Sequence, residues 1–374
     1  MIRRNFMKTS LAMGAALLAK KGLAEKPEQQ FRRIKIGQIG VRHGHASGKM
    51  ASLKLLPEYF EIVGIAAESP ADEKAHRNDG VYSGLKWMTE EELLNTPGLE
   101  AVTVETELTE LMPTATRVAK RGLPMHVDKP LGQSMAECQE MIDACRANRV
   151  YMQPGYMYRT NQAMRLLLKA IRNGWLGEIH DISGDMCRND TDPKFRKFRS
   201  QYRGGGMYFF GSHLLDFIVE AMGAPEEIHV LERPDPNDGL QDNTLSVLLY
   251  RKAIAQVRVS MRKIDGNPTR RLTAFGTKGS FVLDPLENWN RDPKTGKMRP
   301  LNVRLTLSES NDTFQAGTHH LSLEPYEDRY VGQLMEFARV VRGLQENPYT
   351  LDYELLSQRV ILAASGYTKW EKQG

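Results

Sequence analysis

The strongest constraint on this chain is an alternation of short apolar strands with helices from Ile34 to Gln153. Ile34-Lys35-Ile36-Gly37-Gln38-Ile39 reads as a strand closed by Gly40, and a helix follows from Ala46 to Leu56, stopped by Pro57. Strands are predicted at Glu61–Ala67, Ala101–Val104, Met125–Val127 and Val150–Gln153. Helices are predicted at Glu90–Leu94 and Pro113–Arg121, and from Ser134 to Ala147 with Glu137 completing a capping box. Strands that alternate with helices predict a parallel, doubly wound α/β sheet.

Beyond about Gly155 the pattern changes. Gln162–Asn173 is an amphipathic helix, followed by longer strands joined by turns. Thr244–Tyr250 and Ala253–Met261 form a predicted hairpin, as do Leu272–Phe275 and Ser280–Leu283 around Gly276-Thr277-Lys278-Gly279. Ala255, Val257, Val259 and Met261 alternate with polar residues, the period of a sheet with one wet face. Tyr330–Arg342 and Tyr353–Ser365 read as closing helices. The boundaries that follow are 33–155 for the first domain and 156–374 for the second, after a leader over 1–24 and a polar linker over 25–32.

The leader has Arg3-Arg4-Asn5-Phe6-Met7-Lys8, an apolar run from Leu11 to Ala19, and Gly22-Leu23-Ala24 as a cleavage site. The run is shorter than the roughly 20 residues a bilayer span needs. The layout is that of a signal peptide, and the arginine pair resembles the twin-arginine export signal. Export to the periplasm is expected, with no stable membrane insertion. The leader also explains the net charge of +5: five of the 51 basic residues lie in it, leaving 46 against 46 acids. A neutral remainder gives no reason to expect nucleic acid. Cys138 and Cys145, seven apart on a helix, stand about 10 Å apart, too far for a disulfide, and with Cys187 they make no metal motif.

Three places carry chemistry. At the first turn, Gly37-Gln38-Ile39-Gly40-Val41-Arg42-His43-Gly44, a strand meets glycines and a helix start, which aims backbone N–H groups at a pyrophosphate. Arg42 stands where a second glycine is usual. Glu68, at the end of the next strand, suits the ribose diol of NAD and repels the 2′-phosphate of NADP. Gly40, Arg42, His43, Gly44, Glu68, Asp128 and Lys129 are therefore the expected cofactor-binding residues. Second, Asp128-Lys129-Pro130 leaves the sheet at a strand's C-terminal end, where ligands of open α/β sheets bind. A desolvated lysine there loses proton affinity. Third, Gly204-Gly205-Gly206 leads to His213 and Asp216, one helical turn apart. Phe195, Phe198 and Tyr202 share helical spacing, as do Arg196, Arg199 and Arg203; this predicts an amphipathic helix with a solvated basic face, the second reading being a clamp for an anionic substrate. His319-His320 make no convincing metal site, and no metal is expected.

These residues, in this order, resemble the Gfo/Idh/MocA oxidoreductase family over about Ile34 to the C-terminus. Asp128-Lys129-Pro130 stands where many members have Glu-Lys-Pro; Asp242-Asn243-Thr244 and Gly276-Thr277-Lys278-Gly279 add to the likeness. The resemblance implies an N-terminal Rossmann domain, and a C-terminal α+β domain whose open, largely antiparallel sheet serves substrate and oligomer contacts. It implies Lys129 and His213 as the catalytic lysine and histidine. Two departures stand out. An acid commonly lies four residues before the histidine, where this chain has Phe209, so Asp216 would have to substitute. The loop after the third strand reads Thr106-Glu107-Leu108-Thr109-Glu110 instead of the usual Pro-Asn and then His.

The expectation is an exported, NAD-dependent, homo-oligomeric enzyme that oxidises a hydroxyl of a sugar, cyclitol or glycoside, with His213 taking the proton and Lys129 stabilising the alkoxide. The alternatives are a redox-neutral NAD-dependent glycosidase and a catalytically impaired dinucleotide- and sugar-binding protein.

Overall fold

The computed structural model describes residues 31–288, 291, 294 and 298–372. The expected leader and residues 25–30 of the linker lie outside the described residues. From Ile34 the chain lays down β1 (Ile34–Ile39), β2 (Phe60–Ala66), β3 (Trp87–Met88), β4 (Ala101–Val104), β5 (Met125–Val127) and β6 (Met152–Pro154). They pair in the order β3-β2-β1-β4-β5-β6, every pair parallel. β4, β5 and β6 are buried at every position, polar Thr103, His126 and Gln153 included. Between β2 and β4 the winding reverses across β1, and the glycine turn leaves the sheet at that switch point.

The helices of this half are α1 (Ala46–Lys54), α2 (Pro70–His76), α3 (Glu90–Leu94), α4 (Leu108–Lys120) and α5 (Met135–Asn148). Ser134 caps α5 by accepting from the Glu137 N–H, but the Glu137 carboxylate turns to the Gln133 N–H, so the predicted box is half formed. α4 begins five residues earlier than expected. Leu108, Leu111, Met112 and Ala115 are buried together and draw the chain into a helix, while Pro113 and Thr109 face solvent. There the carbonyl that proline leaves unpaired can be hydrated.

The second half carries α6 (Gln162–Arg172), β7 (Ile179–Asp185), α7 (Pro193–Arg199), a π turn at Met207–Gly211 that runs into α8 (Ser212–Met222), and β8 (Glu227–Glu232). Then come β9 (Asn243–Leu249), β10 (Ile254–Ser260), β11 (Arg271–Gly276), β12 (Gly279–Leu283), β13 (Leu301–Leu307), β14 (Gly317–Leu323), α9 (Val331–Val341) and α10 (Leu351–Ala364). The sheet runs β14-β13-β12-β11-β7-β10-β9-β8, antiparallel except for the β7–β10 pair. Both expected hairpins form. Sequence reading passed over β7, β8, β13 and β14, although Leu301, Val303, Leu305 and Leu307 alternate inward along β13.

The last helices cross back onto the first half. α9 packs on α1, and Arg342 just beyond it pairs with Glu100 at the foot of β4 (2.9 Å). α10 packs on both α5 and α8.

The joint between the sheets holds Arg159, in the short 3-10 turn Met157–Thr160 after β6. Its guanidinium grips Asp216 of α8 at 2.7 and 2.9 Å and Glu354 of α10 at 2.6 and 2.7 Å. Each of the three side chains is 2% exposed. Two carboxylates stay buried only because one fork-shaped cation serves both. Replacing Arg159 with Met leaves them uncompensated. Urea denaturation of that variant is expected to show a loss of about 3–5 kcal/mol; an unchanged midpoint would show the cluster to be dispensable.

Candidate active site

Gly40 closes β1 at φ +101°, and a Cβ there would meet the Glu105 carbonyl carbon and the Thr106 nitrogen at 2.5 Å, so the position requires glycine. The next N–H groups, on Val41 and Arg42, donate to the Glu68 carboxylate at 3.0 and 3.3 Å. α1 starts without an acidic residue in its first turn and without a side-chain cap, and the space at Gly44 is open. A turn that already binds a carboxylate, beside an uncompensated helix start, fits the pyrophosphate of a dinucleotide. Glu68 is thus placed on the turn amides, where a phosphate would compete with it. The Arg42 guanidinium is half exposed, 3.7 Å from Asp72.

Beside the turn, Asp128 is buried at the end of β5, with His43 Nδ1 at 2.6 Å and His45 Nδ1 at 3.1 Å. Burial works against its charge, but the two imidazoles hold its carboxyl well below the usual carboxylate range. Burial lowers both histidines. It dominates at His45, which falls to about 3, whereas Asp128 outweighs it at His43 and keeps that ring above its ordinary value. Asp128 thus favours the protonated form of His43, while His45 is neutral at pH 7. The three donor atoms lie within 4.8 Å of one another, near enough to converge on one cation, although the sequence suggested no metal. Beneath them Lys49 Nζ lies 2.6 Å from His126 Nε2 and 3.9 Å from Glu105, all three fully buried. Burial pushes Glu105 up to about 8. His45 and Lys49 were not anticipated: their partners Asp128 and Glu105 lie on other strands, tens of residues away.

Lys129 is 4% exposed, and its Nζ donates to the Phe209 carbonyl at 2.6 Å, joining the first half to the π turn of the second. Such turns often occur at functional sites. Burial, opposed by Asp128, lowers the Lys129 amine to about 8. His213, one turn beyond Phe209, lies 5% exposed between Tyr156 and Tyr158, and its Nδ1 is buried without a hydrogen-bond partner. Burial and the Lys129 charge hold this imidazole well below its usual range, so it is neutral at pH 7 and a weak base. Phe209 packs on Phe198, Tyr202 and Tyr208. Asp216 does not substitute for the missing acid. Its carboxylate is spent on Arg159, Ser357 and Tyr353, on the side of α8 that faces α10.

Lys129, His213, His43 and Gly44 line one cleft of about 600 Å³, whose far wall includes Arg188, Arg199 and Phe210. α7 departs from the expected solvated face. Arg196 is held by Asp238 at 2.6 Å and by Asp235 and Asp242 at 3.0 Å and Arg199 pairs with Asp190, while Lys194, Phe195, Lys197 and, beyond the helix, Arg203 are exposed. Packing α7 over the cleft turns Arg196 to the acids of residues 235–242 and Arg199 to Asp190, just before the helix.

The comparisons agree with this architecture. The oxidoreductase family with an NAD-binding Rossmann fold, GFO/IDH/MocA, matches residues 34–156, and the GFO/IDH/MocA C-terminal domain matches residues 164–282. ORF334 of Rhizobium meliloti, described as an oxidoreductase, is 23% identical over 336 residues, covering 88% of this chain and 95% of its own. The aldose-aldose oxidoreductase of Caulobacter crescentus has a similar fold (TM-score 0.72, 20% identity, 91% of this chain and 100% of that one). So has the WlbA dehydrogenase of Bordetella pertussis, solved with NADH and UDP-GlcNAcA (TM-score 0.67, 16% identity, 89% of this chain and 95% of that one). The fold and the turn define an NAD(P)-dependent oxidoreductase. The chain belongs to the GFO/IDH/MocA family.

If Asp216 is structural, Asp216→Asn should lower the thermal midpoint by several degrees yet leave the pH dependence of turnover in place. A displaced pH profile in a folded variant would return Asp216 to the chemistry.

Proposed function

We propose that this protein oxidises a CH–OH carbon of a sugar, cyclitol or glycoside with NAD. The observation that carries the reading is the meeting of Lys129 and His213, from opposite halves of the chain, in one cleft beside the glycine turn. Bound at the turn, the dinucleotide would supply the hydride acceptor. The chain's own residues supply the rest. An amine near pH 8 is better matched to proton transfer than an imidazole held far below 6.5. The neutral form of Lys129 therefore takes the hydroxyl proton, the reverse of the roles expected from sequence. The orphan Nδ1 of His213 offers a hydrogen bond that orients a second hydroxyl. Tyr156 and Tyr158 hold the His213 ring in place.

Glu68 follows β2 beside the turn and supports NAD as the cofactor: once the pyrophosphate takes the turn amides, its released carboxylate would accept from a ribose diol and repel a 2′-phosphate. The affinity for NAD should exceed that for NADP by about tenfold or more, read by quenching of protein fluorescence. Arg3-Arg4 supports export by the twin-arginine route. Leu231, Ile254 and Phe275, 60%, 53% and 37% exposed on one face of the second sheet, support a homo-oligomer.

The deciding experiment is Lys129→Ala. Turnover, followed as NADH formation, should fall by about 10²–10⁴-fold with NAD affinity nearly unchanged. Full turnover in the variant, or a wild-type protein that binds neither dinucleotide, would overturn the reading. In the wild type, kcat/KM for oxidation should rise through about pH 8 as Lys129 loses its proton; a fall there would assign alkoxide stabilisation to the charged amine.

A further inference from the structure

The wall of the cleft opposite the glycine turn is a set of guanidiniums from the second half. Arg188 follows β7, Arg199 ends α7, and Arg270 precedes β11. Two buried carboxylates lie among them. Asp190 pairs with Arg199, while Glu287 takes Arg270 at 2.8 Å and the Tyr158 hydroxyl. Arg188 is the third cation. It lies 4.7 Å over the Phe210 ring, 3.8 Å from the already engaged Asp190, and its Nε is buried without a hydrogen-bond partner. These three guanidiniums face two carboxylates, and Arg42, Lys194 and Arg329 also line the cleft. Lys129 adds a further cation, and Glu107 is the one acid among the described residues that line the cleft.

The crowding leaves its mark on the cations themselves. Burial and Arg188 push Arg199 down to about 10, and burial and Arg270 lower Arg188. A half-buried guanidinium whose Nε is buried without a hydrogen bond is stabilised by an anion that accepts from it. The cofactor's pyrophosphate has its place elsewhere, at the uncapped start of α1 and the turn amides from which it would displace Glu68.

We infer that the polyol this cleft accepts carries a carboxylate, and that Arg188, flanked by Arg199, receives it: the substrate is a sugar acid. This rests on the reading of the cleft as the place of hydroxyl oxidation. The planar fork of arginine matches the carboxylate edge, and the Nε of Arg188 is a donor left to receive it.

The test uses NAD-saturated protein in calorimetric titrations with D-glucuronate and D-galacturonate against D-glucose, D-galactose and glucose 6-phosphate. At least one uronate should bind about tenfold or more tighter than its neutral parent, with the preference shrinking as salt rises. Arg188→Gln should abolish the preference and Arg188→Lys should restore part of it, with NAD affinity reporting that each variant is folded. Equal or tighter binding of the neutral sugars, tighter binding of the phosphate ester, absence of uronate binding, or a preference that survives Arg188→Gln would each overturn the inference. The two readings fail separately. Uronate binding that depends on Arg188 without any NADH formation would sink the oxidation and keep the anion site. NADH formed from neutral sugars without a uronate preference would do the reverse.

Discussion

Arg159 is the constraint on which the rest of the structure depends. It stands where the chain passes from one sheet to the other, and through Asp216 and Glu354 it fastens α8 and α10 to that passage. α8 begins with the residues that face the cleft, so the position of His213 relative to Lys129 is set from behind by an ion cluster outside the cleft lining. A buried fork of this kind is rigid because no member can leave without stranding a charge. The cleft between two sheets inherits that rigidity.

On this frame the chain gathers a dense set of buried ionisable groups. Asp128 favours protonation of His43, and burial leaves His45 neutral; Lys49 and Glu105 lie one layer below; Lys129 sits at the surface of the set with its amine lowered to about 8. The low dielectric that makes each charge costly also makes each proton movable, because small rearrangements of partners shift the balance. Donation to the Phe209 carbonyl points the Lys129 amine across the cleft toward the second half. Phe209 contributes its backbone to the site while its ring closes an aromatic cluster, which accounts for an apolar residue where an acid was expected.

Much of the framework was legible in local patterns. The strand–glycine–helix turn, Lys129 at a strand end and His213 at a helix start are each read from a few adjacent residues, and the structure places all three around one cleft. α4 was misjudged because proline is a strong local signal that a buried stripe can override when the ring faces water. β13 was readable by its alternation but lay among turns and charged segments. The partners of Asp216 and Arg196 were beyond reach. Arg159 and Asp242 meet them only after the sheets have formed, and no spacing along the chain records those encounters.

By itself the sequence determined the order of elements, the switch point where the turn leaves the sheet, and the residue types available for chemistry. Hydrophobic periodicity and backbone geometry act over a few residues, which is the range a sequence displays directly. Tertiary structure alone decided which ionisable groups are buried together, that Asp216 holds the frame, and that the Nε of Arg188 is left without a hydrogen bond on the cleft wall. Burial and Coulomb energy depend on distances between residues far apart in the chain, and folding is what sets those distances.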